Sequence, residues 1–365
     1  MKKLNKKGLI KLLFPIILLF IISIGLYIYY SNKSLVKSVA INHVYILEDD
    51  GSMETAHELA SSSLNIERIS TLFYQKYPDI YDFIAIFPSF TPKKEMNNAI
   101  AYSSEIQNSV RGICREIRKA CYWGPCGSDK LQVVHMFTNY KNNYNELVEK
   151  PQQIIEVLLH EIGHHWGVSL GNRKVENPLP DGVNKSCTEY PIPFAIKDTD
   201  HWSENLQMPI GGYGAIPETL PWVERGQDIY SYDLSYFKEP PKYHPFDLYL
   251  MGLLDPSEIK NEFLLLTEID YYFGQMPDGK KASEDEIVKK GKSIKVGIDD
   301  IIKIAGEPRS PSAKKSQKDF KEAFVILTKK GQSPSQNMLK AINEAAKLLP
   351  SMWLFATDNR STMNK

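Results

Sequence analysis

Pro151-Gln152-Gln153-Ile154-Ile155-Glu156-Val157-Leu158-Leu159-His160-Glu161-Ile162-Gly163-His164-His165-Trp166-Gly167 is the stretch on which the reading of this chain turns. Pro151 suits a first helical turn, where its missing N–H leaves no bond unmade. Ile154, Ile155, Leu158, Leu159 and Ile162 supply the apolar faces of a largely buried helix, and Gly167 supplies its stop. Residues four apart on a helix stand one turn above the other on the same face. His160 and His164 can therefore offer their imidazoles to one ion. Neutral imidazole is a preferred ligand of zinc, so Zn2+ is the expected cofactor. Glu161 lies about 100° around the helix, in reach of a water on that ion without being a ligand. Zinc lowers the pKa of such a water towards about 7, and Glu161 is placed to take the proton and pass it to a leaving amine. These residue types at this spacing imply metal-assisted hydrolysis, with Glu161 as the catalytic residue.

A catalytic zinc takes a third protein ligand and keeps one position open. His201, beside Trp202, is the first candidate, and Asp247, after His244-Pro245-Phe246, is the rival. His244 itself is a further alternative. Asp247 has a second reading, as a buried carboxylate that holds the backbone or a ligand imidazole in place. His165 faces elsewhere on the helix and reads as a packing or supporting residue. The segment Met208-Pro209-Ile210-Gly211-Gly212-Tyr213-Gly214 would let backbone approach a metal closely, or form a plain turn. Tyr213 and Tyr249 are conceivable oxyanion donors among 20 tyrosines, which makes either a weak choice. The pair His57-Glu58 repeats the start of the motif but meets Ser61 where the second histidine belongs.

Around this helix the pattern is mixed. Val44–Leu47, Phe83–Phe87, Leu131–Phe137 and Ala323–Leu327 read as strands, and Ile66, Ile69, Phe73 and Tyr77 share a helical face. A second helix is expected from Pro245 through Leu253. Asp255-Pro256-Ser257-Glu258 and Ser333-Pro334-Ser335-Gln336 carry N-capping signals, the latter opening a helix with Leu339, Ile342, Ala346 and Leu349 in period. Without a regular βαβ rhythm the fold class is α+β. Three regions are expected: residues 1–33 as a basic tip and anchor, 34–254 as the catalytic domain, and 255–365 as a smaller C-terminal subdomain.

The N-terminus sets topology. Lys2, Lys3, Lys6, Lys7 and Lys11 precede an apolar run from Leu12 to Tyr30, about 19 residues, near the length that spans a bilayer as a helix. The excess of lysine before the run places the N-terminus in the cytoplasm and the rest of the chain outside, and the tyrosines at 27, 29 and 30 fit an interfacial belt. A cleaved signal peptide is the rival and leaves the remainder outside as well. Lys+Arg and Asp+Glu balance at 44 each, so no global field points to nucleic acid. Cys114, Cys121, Cys126 and Cys187 form an even set that in an exported domain reads as up to two disulfides, with the pairing open.

Taken together, the helix motif, His201-Trp202-Ser203, Pro245-Phe246-Asp247-Leu248-Tyr249-Leu250-Met251-Gly252-Leu253, Ser316-Gln317-Lys318-Asp319-Phe320 and Ala356-Thr357-Asp358 resemble a family of exported bacterial proteins described as zinc metalloproteases. The resemblance covers most of residues 40–360. It implies a zincin-like fold with a central mixed sheet and an active-site helix, one zinc ion, and an extracytoplasmic enzyme. The chain is more loosely similar to metzincins: Gly167 matches their turn glycine, but Leu170 stands where their third histidine belongs. By analogy His201 would replace that histidine, with Met208 near the position of a Met-turn. The expected activity is hydrolysis of peptide bonds in extracellular or cell-surface proteins. Two alternatives stand beside it: an amidase or exopeptidase acting on cell-wall peptides, and a surface-binding protein whose zinc is structural.

Overall fold

The computed structural model describes residues 38–41, 44–54, 64–93, 99–115, 128–138, 143–167, 201–209, 214–215, 219–272, 276–279 and 282–365. The basic tip and apolar run of residues 1–33 lie outside the described residues, as do Cys121, Cys126, Cys187, Leu170 and Tyr213. Among the described residues no helix is long and apolar enough to cross a membrane. Cys114 is disulfide-bonded.

The architecture is mixed α+β, built on one large mixed sheet and one smaller antiparallel sheet. The large sheet runs in the order β1 (Ser38–Ile41), β2 (Val44–Glu48), β10 (Asp319–Thr328), β3 (Phe83–Pro88), β5 (Val133–Phe137), β4 (Ala101–Glu105), and β11 (Thr362–Asn364) pairs with the start of β10. The four inner strands are parallel; β1 and β4 are antiparallel to their neighbours at the two ends. The run Phe83-Ile84-Ala85-Ile86-Phe87 is apolar without alternation because both faces of the sheet are covered. Phe83, Ala85 and Phe87 join one core with Phe320, Phe324 and Ile326, while Ile84 and Ile86 join another with Ala323, Val325 and Leu327.

The second of these cores is closed by α1 (Ile66–Tyr74), which buries Ile69, Leu72 and Phe73 and is capped by the Asn65 side chain. The first is closed by α3 (Gln152–Gly163) and α6 (Gln336–Ala356), which pack together; α2 (Tyr144–Leu147) packs against α6. On α3, Ile154, Ile155, Leu158, Leu159 and Ile162 are fully buried, each contributing about 1.5–3 kcal/mol relative to exposure. The position of α3 is thus held by its apolar side, independently of the polar side that carries the histidines.

Residues 319–328, which the sequence places in the C-terminal region, form β10 between β2 and β3. The end of the chain therefore completes the sheet that its beginning starts. The capping signal at Asp255 opens only a 3-10 turn, Pro256–Glu258, and not a longer helix, because strand pairing resumes at Phe263. The small sheet, β6 (Val223–Gly226), β7 (Ile229–Asp233), β9 (Glu286–Val296) and β8 (Phe263–Tyr271), was not legible in the sequence pattern. Strand β9 reads Glu-Ile-Val-Lys-Lys-Gly-Lys-Ser-Ile-Lys-Val, and β8 shifts register against it between Thr267 and Asp270, so neither shows sustained alternation. Two further helices complete the described elements: α4 (Pro245–Leu250), shorter than the sequence expectation, and α5 (Ile298–Ala305).

Candidate metal centre

His160 opens the last turn of α3, which ends at Gly163, and His164 is its C-terminal cap with helical backbone angles, φ −60° and ψ −21°. The helical spacing therefore persists through both residues, and their Nε2 atoms lie 3.0 Å apart. His201 comes from a distant point in the chain and closes the group. Its ring centroid is 4.9 Å from that of His160 and 5.1 Å from that of His164. One nitrogen from each of the three rings lies within 4.8 Å of the others. Two ligands of a tetrahedral zinc ion are separated by about 3.3 Å, so the arrangement fits one small ion. The 3.0 Å separation is also that of an N–H···N hydrogen bond, and so does not by itself name a metal.

The electrostatics of the rings suit a cation. Burial, and then the nearby His201, holds the His160 pKa down at about 3. Burial and the neighbouring histidines hold His164 well below the ordinary 6.5. Neutral imidazoles keep a lone pair for coordination. The donor set is nitrogen only and contains no thiolate, which suits zinc among several divalent ions without singling it out.

Asp247, the sequence rival of His201, lies elsewhere. It is 1% exposed, and its Oδ1 accepts from the Trp202 indole N–H at 2.6 Å. Its Oδ2 accepts from the His244 backbone N–H at 3.0 Å as part of the capping box of α4. Both oxygens are thus engaged in holding backbone and ring. His244 is an unusual N-cap: its Nδ1 accepts from the Phe246 N–H at 3.1 Å, so its Nε2–H is left to donate to the Gln207 carbonyl at 3.0 Å. Burial explains the two shifts, upward to about 7 for Asp247 and downward to about 3 for His244.

Glu161 is 4% exposed. Burial pushes its carboxyl from 4.5 to about 7, against the hydrogen bond from Ser103, which pulls the other way. A cation beside it would favour the ionised form again. Together with the three histidines it lines a cleft of about 660 Å3 that runs along residues 99–103 of the end strand β4 and its approach, with Val157, Gly214, Ala215 and Pro241 as further walls. Gly214, the last residue of the glycine-rich segment, lines the cleft beside Ala215, while residues 210–213 of that segment lie outside the described residues. Met208 is buried, with its sulfur accepting from the Thr219 hydroxyl at 3.5 Å. Tyr249 is buried with its hydroxyl accepting from the Arg309 backbone N–H, away from the cleft.

His165 is buried beneath the cleft, its Nδ1 2.8 Å from Glu105 Oε1 and its Nε2 2.9 Å from Gln132 Oε1. Three residues at the site had no role in the sequence reading. Ser103 donates towards Glu161, His135 stands behind Ser103, and Arg115 reaches from the cleft wall to the Gly167 carbonyl at 3.1 Å. For Ser103 and Arg115 the sequence carries no signal. His135 did have one: a polar residue amid Val133-Val134-His135-Met136-Phe137 must find a partner when the strand is buried.

The fold and site thus define a mixed α+β protein with a three-histidine centre able to hold a metal ion. No family model, curated protein or solved structure matches the chain.

Proposed function

We propose that the chain is a zinc-dependent hydrolase of peptide bonds with a zincin-like fold, anchored at the membrane by its N-terminal segment and acting outside the cytoplasm on protein or peptide substrates. The observation that carries this reading is the convergence of His160, His164 and His201 within 4.8 Å, with Glu161 on the same helix facing the same cleft. His160, His164 and His201 would hold a zinc ion, which when bound would supply Lewis acidity towards a water and the scissile carbonyl. Glu161 would act in the cleft as the base that takes a proton from the attacking water and returns it to the departing amine.

The cleft favours a peptide over a compact substrate. Strand β4 ends the sheet in the described order, and its approach lines the cleft. An extended peptide laid along such an edge gains backbone hydrogen bonds that do not depend on its sequence. Ile100, 53% exposed on the cleft wall, offers an apolar contact for a substrate side chain.

The test uses the full chain purified in detergent. Metal analysis should find about one zinc per chain, and a mixed library of unfolded proteins and peptides should be cleaved. Glu161→Gln should retain the metal and lose cleavage. Cleavage that persists in that variant would remove Glu161 from the mechanism. A library left intact by metal-loaded protein would remove the peptidase assignment.

A further inference from the structure

Ser103 of β4 stands directly opposite His135 of β5 in the antiparallel register. Its hydroxyl oxygen lies 2.8 Å from Glu161 Oε2, 2.9 Å from the Glu161 carbonyl oxygen and 2.8 Å from His135 Nδ1. One hydroxyl has a single proton to give and two lone pairs to offer. Both Glu161 atoms are acceptors when the carboxylate is ionised, so the Ser103 proton belongs to them. His135 must then be the donor to Ser103, which requires its Nδ1 to carry hydrogen.

The buried surroundings agree. His135 is 0% exposed, and its Nε2 has no hydrogen-bond partner among the described residues. A neutral ring with hydrogen on Nε2 would bury an unsatisfied donor and would also claim the Ser103 proton, leaving Glu161 without it. Hydrogen on Nδ1 leaves only a bare lone pair facing apolar neighbours, the lesser fault. The Phe83 ring is one such neighbour, with centroids 5.8 Å apart.

We propose that Ser103 and His135 are positioning residues for Glu161: His135 Nδ1–H orients the Ser103 hydroxyl, and Ser103 fixes Glu161 Oε2, leaving Oε1 directed to the cleft. This rests on the reading of Glu161 as the base. The chain of bonds runs from a strand rigid within the sheet to a carboxylate at the end of a helix. It removes the rotation of a glutamate side chain whose proton-accepting oxygen must meet a water held by the metal. Ser103 also satisfies the Glu161 carbonyl, whose helical partner amide at His165 bonds Ile162 instead. A purely structural role would end there, as a C-terminal cap on α3.

The experiment separates the two. In the zinc-loaded full chain with 15N-labelled histidine, at a pH about one unit or more above 7 so that Glu161 is ionised, long-range proton–nitrogen correlation should show His135, assigned by its loss in His135→Phe, with hydrogen on Nδ1. Hydrogen on Nε2 would overturn the proposal. In the zinc-loaded chain, Ser103→Ala should lower kcat about 10- to 100-fold with KM and zinc content unchanged, and Ser103→Thr, which keeps the hydroxyl, should restore most of it. Full kcat in Ser103→Ala, or equal impairment in Ser103→Thr, would likewise overturn it. Wild-type protein that cleaves nothing would sink the hydrolase reading instead, and the tautomer of His135 would still decide whether the bonded chain exists.

Discussion

The indole N–H of Trp202 donates to Asp247 Oδ1 at 2.6 Å, both groups buried, and this bond ties the residue after His201 to the first turn of α4. Asp247 thus reaches the three-histidine cluster through Trp202 and is not itself one of the clustered groups. The ring of Trp202 is fully buried beside His244 and Phe246, which anchors the chain next to His201 in the cleft lining.

A direct consequence concerns ligand identity. His201→Ala should lose the ion while the protein stays folded, because the apolar side of α3 is untouched. Asp247→Ala should keep about one equivalent of metal in its folded fraction but unfold at lower urea. Each buried donor it strands, at Trp202 and at His244, costs roughly 1–3 kcal/mol. Metal analysis beside urea melts of the two variants makes the comparison. A folded Asp247→Ala without metal, beside a His201→Ala that retains it, would reverse the assignment.

Metal loading should also stabilise the fold. Zinc at about 100 times its dissociation constant adds about 2.7 kcal/mol to a state that binds it once. Thermal melts with and without zinc should show this shift for wild type and for Glu161→Gln. The shift should vanish in His160→Ala and His164→Ala. An equal shift in all four proteins would place the ion elsewhere.

Glu322, which does not line the cleft, predicts a pH dependence of its own. It sits at 0% exposure in β10, neither carboxyl oxygen has a hydrogen-bond partner among the described residues, and burial followed by the nearby Asp82 raises its pKa well above 4.5. The native state therefore keeps a proton that the unfolded chain releases near 4.5. Stability falls as pH rises past that value and goes on falling until the native carboxyl ionises. Glu322→Gln has no proton to lose, so its stability relative to wild type should be greater at pH 8 than at pH 5 in urea melts. A difference that does not change between the two pH values would contradict the assignment.

Gly252 should not tolerate a side chain. Its φ is +74°, and a Cβ there would overlap Ser316 Oγ and the Arg309 guanidinium carbon. Arg309 donates to the Leu250 carbonyl at 2.6 Å and the Met251 carbonyl at 3.1 Å, closing the end of α4. Gly252→Ala should combine left-handed strain with displacement of that guanidinium, a loss of about 2 kcal/mol or more. Denaturant unfolding would show it, and a variant as stable as wild type would disprove the close approach.

Local pattern carried much of the reading. The helix of residues 152–163 could be read because its apolar residues recur at helical spacing after Pro151, although it ends at Gly163 with His164 as cap and not, as expected, near Trp166 at a Gly167 stop. The same local rule brings His160 and His164 together, since four residues of helix fix their relation whatever the rest of the chain does. The inner strands were visible as short apolar runs. Strands β8 and β9 were not, because a half-buried, lysine-bearing ribbon with a register shift lacks the alternation that marks a strand. The helix expected through Leu253 ends at Leu250, because the left-handed turn at Gly252 and the Arg309 cap stop it.

What the sequence determined by itself is a buried helix presenting two imidazoles and a carboxylate at fixed spacing, because neighbours on a helix are set by bond geometry alone. What only the tertiary structure decided is the partner set around that helix. His201 rather than Asp247 meets the two histidines, β10 enters from the far end of the chain, and Ser103 with His135 lies behind Glu161. Those contacts join residues far apart in the chain. Their distances depend on how sheet, helices and loops pack against each other, which no local spacing encodes.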